Sequence, residues 1–334
     1  MLIIVLCRTP IESIMTHSLT HSLTHSLMLI MFAAIFSQLF NEGRALEQQG
    51  NIAAAQRLYG KVTRLAPRVS DSDSIIYFQC LYLYCTYIFL IRFHSVTLHY
   101  ITPQFIYGWA SLGNTQVALG ALPPAEASYS RAIDLCVESN QEEEQFGVAR
   151  CSDLYLLHLN RGSLRMNNGR AKEALKDLEM ADALRGKPDA IILQNRARAR
   201  ELNGLYAASD RDYTMAVSMT SNEVAPFWLR SALVKFQLGD TLGAFDLLRR
   251  VENKFPEAPE VRAALATFLV AKGDQETAQR KFLEIPDRAR LKYVDENYLR
   301  NTIAWPPKMM EFLSKLTEAV GDTQKGLEAS SVAL

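Results

Sequence analysis

The chain has 334 residues, with 36 basic and 36 acidic side chains, so its net charge is zero and a nucleic-acid binder working by bulk electrostatics is excluded. Hydrophobic residues make up 49%, which excludes disorder as the main state, and 16 glycines with 12 prolines are too few for a loop-rich or all-β chain. Five cysteines (Cys7, Cys80, Cys85, Cys136, Cys151) are odd in number and form no C-x-x-C pair. That usage points away from a disulfide framework or a structural zinc site and toward an intracellular, reducing compartment, with Cys136 and Cys151 as core thiols.

The N-terminal stretch Thr16–Leu27 is Thr-His-Ser-Leu three times over, as a short nucleotide repeat would encode. His17, His21 and His25 share a helical face, yet the repeat also accounts for the Thr, Ser and Leu between them, so no metal site is expected. The apolar run Leu27–Phe36 is too short to span a membrane, and no small-x-small cleavage site follows it. Residues 1–35 are therefore expected to be a low-complexity extension, non-native or disordered, in which no targeting sequence can be read.

From residue 36 one spacing recurs six times: a small residue, Gly seven positions later, Ala or Ser after five more, an aromatic or Leu after four more, then a small or apolar residue after three. The series are Gly43, Gly50, Ala55, Tyr59, Val62; Gly113, Gly120, Ala125, Tyr129, Ala132; Gly162, Gly169, Ala174, Leu178, Ala181; Ala197, Gly204, Ser209, Tyr213, Ala216; Ala232, Gly239, Ala244, Leu248, Val251; and Ala266, Gly273, Ala278, Phe282, Ile285. Small residues allow two helices to approach closely, and the middle Gly takes the left-handed conformation that ends the first helix. The aromatic is expected to act as a knob into the next unit. Gly239-Asp240 and Gly273-Asp274 mark the turn most clearly.

With Trp109 and Trp228 at position 4 and Pro67 and Pro256 at position 32, these series resemble the 34-residue tetratricopeptide repeat. The resemblance implies an all-α fold, an α-solenoid of six helix-turn-helix units winding as a right-handed superhelix: one unit over 36–69 and five over 106–292. Its general look, including Trp305-Pro306-Pro307, is also similar to plastid assembly factors of photosynthetic eukaryotes.

Between the first two units, residues 70–105 carry none of the marks and include the charge-free run Ser74–Ile91. With Pro67 at position 32 and Trp109 at position 4, removing 70–105 makes Val69 position 34 and Ile106 position 1. Register thus favours a translated intron over a membrane anchor at Ile75–Ile91 or a structured insertion. Beyond the last unit, Asp287–Trp305 reads as a helix with Leu291, Val294, Tyr298 and Leu299 on one side, ended by Pro306-Pro307. A last helix over 308–320 presents Met309, Phe312, Leu313 and Leu316. Capping helices are assigned over 293–320 and a frayed tail over 321–334.

No phosphate loop, H-E-x-x-H, nucleophile elbow or zinc spacing occurs, so neither an enzyme nor a cofactor is expected. The resemblance places partner binding at positions 2, 5, 6 and 9 of the first helices, where the polar residues are Arg44, Asn114, Asn160, Asn195, Arg198 and Arg230. As donors, these suit an extended partner peptide rich in carbonyls or carboxylates. Chaperone-binding relatives hold a C-terminal carboxylate with three cations and two Asn residues. Here Asn114 and Asn160 match the two Asn residues, while Ala110, Ile191 and Asn195 replace the cations; one unit later, Asn195 and Arg230 match, while Leu159, Ser163 and Pro226 do not. The sequence therefore reads as a non-enzymatic scaffold or assembly factor for protein partners, ahead of a membrane-anchored adaptor, a co-chaperone or an RNA-binding repeat protein. No nucleic-acid partner is expected.

Overall fold

The structure, a computed structural model, describes residues 34–65, 106–146, 151–220 and 223–332. The runs at 1–33 and 66–105, and with them the Ile75–Ile91 segment, lie outside the described residues.

All six mid-unit glycines adopt left-handed φ values between 74° and 91°. Each reverses the chain between two helices, as the spacing predicts, because only Gly takes this conformation without a Cβ clash. The resulting pairs are α1 (34–48) with α2 (Ile52–Leu65), α3 (106–118) with α4 (Leu122–Phe146), and α5 (Leu154–Asn167) with α6 (Ala171–Arg185). They continue as α7 (Ala190–Leu202) with α8 (Tyr206–Met219), α9 (Phe227–Leu238) with α10 (Thr241–Lys254), and α11 (Pro259–Ala271) with α12 (Gln275–Leu283). Asp240 and Asp274 follow their glycines and accept hydrogen bonds from the amides of Gly243 (2.9 Å) and Thr277 (3.1 Å), so each dipeptide ends one helix and caps the next. Among the described residues there is no strand. The fold is all-α and built from repeated helix pairs.

By contact the chain divides between Leu164 and Arg165 into two compact units. In the first, the aromatic knob sits inside its own helix pair: a Cβ on Gly43 would lie 2.7 Å from Cε1 of Tyr59, and one on Gly113 2.7 Å from Cε1 of Tyr129. This amends the expectation of a knob directed only at the next unit, although Tyr59 also packs in a buried cluster with Leu112 and Trp109 of the following pair. A Cβ on Gly108 would meet Cγ1 of Val62 at 2.9 Å, so α2 and α3 stack as consecutive repeats despite the residues between them.

The expectation of two free core thiols fails. Cys136 on α4 and Cys151 before α5 form a disulfide with Cα atoms 5.5 Å apart, inside a cluster with Ile106, Ala132, Ile133 and Leu157. Asn140 fixes the backbone at Cys151, accepting from the Cys151 amide (3.2 Å) and donating to its carbonyl (3.1 Å). Spacing of fifteen residues hid the pairing, since it joins α4 to the start of α5 and leaves no local motif.

The second unit has a continuous buried cluster running from Trp228 through α9 to α12 and on to Tyr293, Leu299, Trp305, Met309, Leu313 and Leu316, beside a smaller one of Ala197, Tyr213 and Val234. Its cap departs from the single helix expected over Asp287–Trp305. The chain instead makes one α-turn (α13, Asp287–Arg290), a 3₁₀ turn (Leu291–Tyr293) and a π-helical turn (Tyr298–Thr302). Leu291 and Val294, expected on one side with Leu299, are 70% and 60% exposed, while Tyr293 and Leu299 are buried. The last helix, α14 (Pro307–Val332), buries Met309, Leu313 and Leu316 as expected, and runs on past residue 320 through the stretch expected to fray.

Candidate functional site

In the second unit the first helices α7, α9 and α11 succeed one another, and each brings polar side chains to a common place. Asp189 caps α7, accepting from the amides of Ile191 (2.9 Å) and Ile192 (3.3 Å). The helix so started carries Arg198 and Glu201 one turn apart on the same face. Glu201 is only 4% exposed, and a buried carboxylate needs compensation. It receives an ion pair from Arg198 (2.9 Å), a second from Arg230 on α9, and a hydrogen bond from the Tyr213 hydroxyl on α8 (3.2 Å).

Burial works to lower the Arg230 guanidinium, but Glu201, aided by Tyr213 and Glu260, outweighs it and holds the group above the usual arginine range. Burial first, and Glu201 next, push the Tyr213 hydroxyl well above the usual phenol value, so it stays a donor.

Two backbone carbonyls complete the arrangement. Ile303 O accepts from Arg198 (2.9 Å) and from Arg230 (3.2 Å), and Ala304 O accepts from Arg230 (2.7 Å). The indole N–H of Trp305 donates to Glu260 on α11 (3.0 Å). This face therefore holds a non-helical stretch of main chain by its carbonyls and one side-chain donor.

The six residues expected to meet a partner have different surroundings. Arg44 on α1 and Asn114 on α3 are exposed, and Asn160 on α5 is half-buried. The Asn114 carbonyl accepts from the Tyr129 hydroxyl (2.6 Å), and Asn195 donates to Ile191 O (2.8 Å). Arg198 and Arg230 are brought together, but toward residues 303–304 of the same chain. The structure engages both internally, because Glu201 needs cations and the two carbonyls need donors.

Sequence reasoning overlooked Glu201, Glu260 and Trp305. A signal for Glu201 exists in the spacing twelve residues before an aromatic, since Glu47 and Tyr59 repeat the pair with a hydrogen bond of 3.0 Å. The same interval one position earlier in the unit joins Gln116 to Ser128 (2.8 Å), Arg165 to Asp177 (2.8 Å) and Arg200 to Asp212 (2.6 Å). Each is a polar clasp between the helices of one pair.

Among the described residues, no three His, Cys, Asp or Glu side chains are arranged to hold a metal ion, and no helix is long and apolar enough to cross a membrane. In the first unit a shallow recess of about 350 Å³ lies between α2 and α3, lined in part by Arg57, Arg64 and Trp109.

No family model and no curated protein matches the chain. Solved structures do. It is similar to a chain of the APC/C hetero-tetramer Cut9–Hcn1, with a TM-score of 0.47 and 16% identity over 87% of this chain and 48% of that one. The chain thus spans about half the length of that protein. It is also similar to a tetratricopeptide repeat protein from Parabacteroides merdae ATCC 43184 (TM-score 0.37, 14% identity, 84% of this chain and 98% of that one). A third is the putative kinesin light chain of Podosopora anserina, with its tetratricopeptide-like repeats (TM-score 0.39, 14% identity, 79% and 98%). The likeness to plastid members has no counterpart among the three. At these identities the similarity concerns the fold alone: the structural neighbours of this chain are tetratricopeptide-repeat proteins.

Proposed function

We propose that the chain is a non-enzymatic scaffold or assembly factor that holds extended segments of partner proteins against the faces of its first helices. Arg44, Asn114, Asn160 and Asn195 are the groups offered to such partners. The observation that supports this reading is the α7–α9–α11 face, where first-helix side chains already hold a non-helical stretch of main chain by two carbonyls and an indole. Recognition of main-chain carbonyls is insensitive to sequence, which suits a protein that receives segments of partner proteins.

RNA binding would call for a face lined with free cations. Here Arg198 and Arg230 share Glu201, and Arg230 also pairs with Glu260 (3.6 Å), so neither is a free cation, which favours a protein ligand.

Affinity capture from the source cells tests the proposal, comparing the wild type with the double variant Arg44→Glu/Asn160→Ala. Circular dichroism serves as the control for folding. At least one specific partner should disappear from the variant's eluate. Identical partner sets from two equally folded proteins would overturn the reading.

A further inference from the structure

Residues 303–306 read Ile-Ala-Trp-Pro, and a residue that precedes proline is kept out of the helical region. The chain accordingly leaves helical structure at Ile303 and regains it only at Pro307. Three successive first helices meet this short stretch, each with at least one side chain: Arg198 from α7, Arg230 from α9 and Glu260 from α11. Gln237 of α9 continues the series by accepting from the Lys308 amide at 2.8 Å.

The contacts define a recognition rule. Two arginines read backbone at the first two positions, whatever the side chains. At the second position Ala304 has φ +48°, and it is the sole non-glycine residue with positive φ among the described residues. That conformation admits small residues and favours Gly. The third position is a slot for an aromatic with an N–H donor: Trp305 is 4% exposed, lies 5.9 Å from the Tyr293 ring and donates to Glu260.

We propose that the α7–α9–α11 face is a peptide-binding site for segments with an aliphatic residue, a small residue, Trp and Pro in succession. Ile303–Pro306 is its occupant in cis, and a partner segment of the same chemistry displaces it. This rests on the reading of first-helix faces as peptide-capturing surfaces. An occupant tethered in cis works at an effective concentration in the millimolar range, so the wild-type face resists a free peptide until its own segment is loosened.

The test uses the full chain and a fluorescein-labelled peptide of sequence TIAWPP. Trp305→Ala empties the slot, and Ala304→Val loosens the segment at its left-handed residue while leaving the indole in place. Fluorescence anisotropy should show either variant binding the peptide at least about tenfold more tightly than the wild type. The peptide TIGWPP should bind about fivefold more tightly still, as the relief of a left-handed alanine implies. The peptide TIAAPP should not bind. Two folded variants that bind no better than the wild type would overturn the proposal, and so would binding indifferent to the Trp. Loss of cooperative unfolding in both variants would also overturn it, by making the segment an inseparable part of the core. A negative result leaves capture through Arg44 and Asn160 standing, because that is read on other helices. A positive result here, with capture unchanged in Arg44→Glu/Asn160→Ala, would confine peptide binding to this face.

Discussion

A methyl group on Gly113 would press against the Tyr129 ring from 2.7 Å, closer than carbon atoms approach one another. Gly113→Ala must therefore part α3 from α4 or turn the tyrosine, and it should destabilise the protein by roughly 1–3 kcal/mol in urea titration. Arg230→Ala is the more damaging change, because it strands Glu201, whose side chain is 2% exposed, with only one cation in reach. Breaking such a buried pair costs about 3–5 kcal/mol. A loss below about 1 kcal/mol would show that water reaches Glu201.

Tyr129 offers a pH readout, since burial pushes its hydroxyl up to about 12 from the usual 10. The folded state thus holds this proton more tightly than the unfolded state does. The stability it confers is complete below pH 10 and is lost as pH rises toward 12. Denaturant midpoints followed from pH 9 upward should fall through this window, and Tyr129→Phe should flatten the fall. At this scale the sequence was half legible. Small residues and aromatics announce close helix contacts by spacing alone, whereas Glu201 is a glutamate in a helix, a residue type ordinarily exposed, until the chain brings Arg230 and Tyr213 to it.

The elements show the same division. Helix pairs and their turns follow from Gly and Asp, which act over three or four residues and need no tertiary partner. The cap does not, because competition over longer range decides it. The Asp295 carboxylate accepts from the Asn297 amide (2.9 Å), the Trp305 amide donates to Leu299 O (2.9 Å), and the carbonyls of Ile303 and Ala304 are taken by arginines about seventy residues or more away. A helix over this segment would bury Leu291 and Val294 but forgo the Trp305 slot. The disulfide is a further tertiary product invisible to composition. Closing a loop of fifteen residues stabilises by about 3 kcal/mol in the chain-entropy account. Reduction, or Cys136→Ser/Cys151→Ser, should lower the unfolding free energy by about that amount. Equal denaturation curves with and without reductant would show that the two sulfurs are not joined in solution.

At the scale of the whole molecule, register was the most informative feature of the sequence, because a repeat interrupted by an insert keeps its phase. The packing of Gly108 against Val62 agrees with that phase, since α3 meets α2 as the next repeat would. Deleting residues 70–105 should therefore leave helical ellipticity per described helix and cooperative unfolding intact. Loss of either would mean that the first two repeats need the insert to stack.

Under the proposed function, first helices hold the partner segments. A photo-crosslinking residue placed at Arg44 on α1 and at Asn195 on α7 samples a first helix in each unit, whereas one at Lys61 on α2 and at Met215 on α8 samples second helices at exposed positions. Irradiation in cells should give partner adducts from positions 44 and 195 and none from 61 and 215. Adducts from the second-helix positions, with none from the first, would overturn binding by first helices.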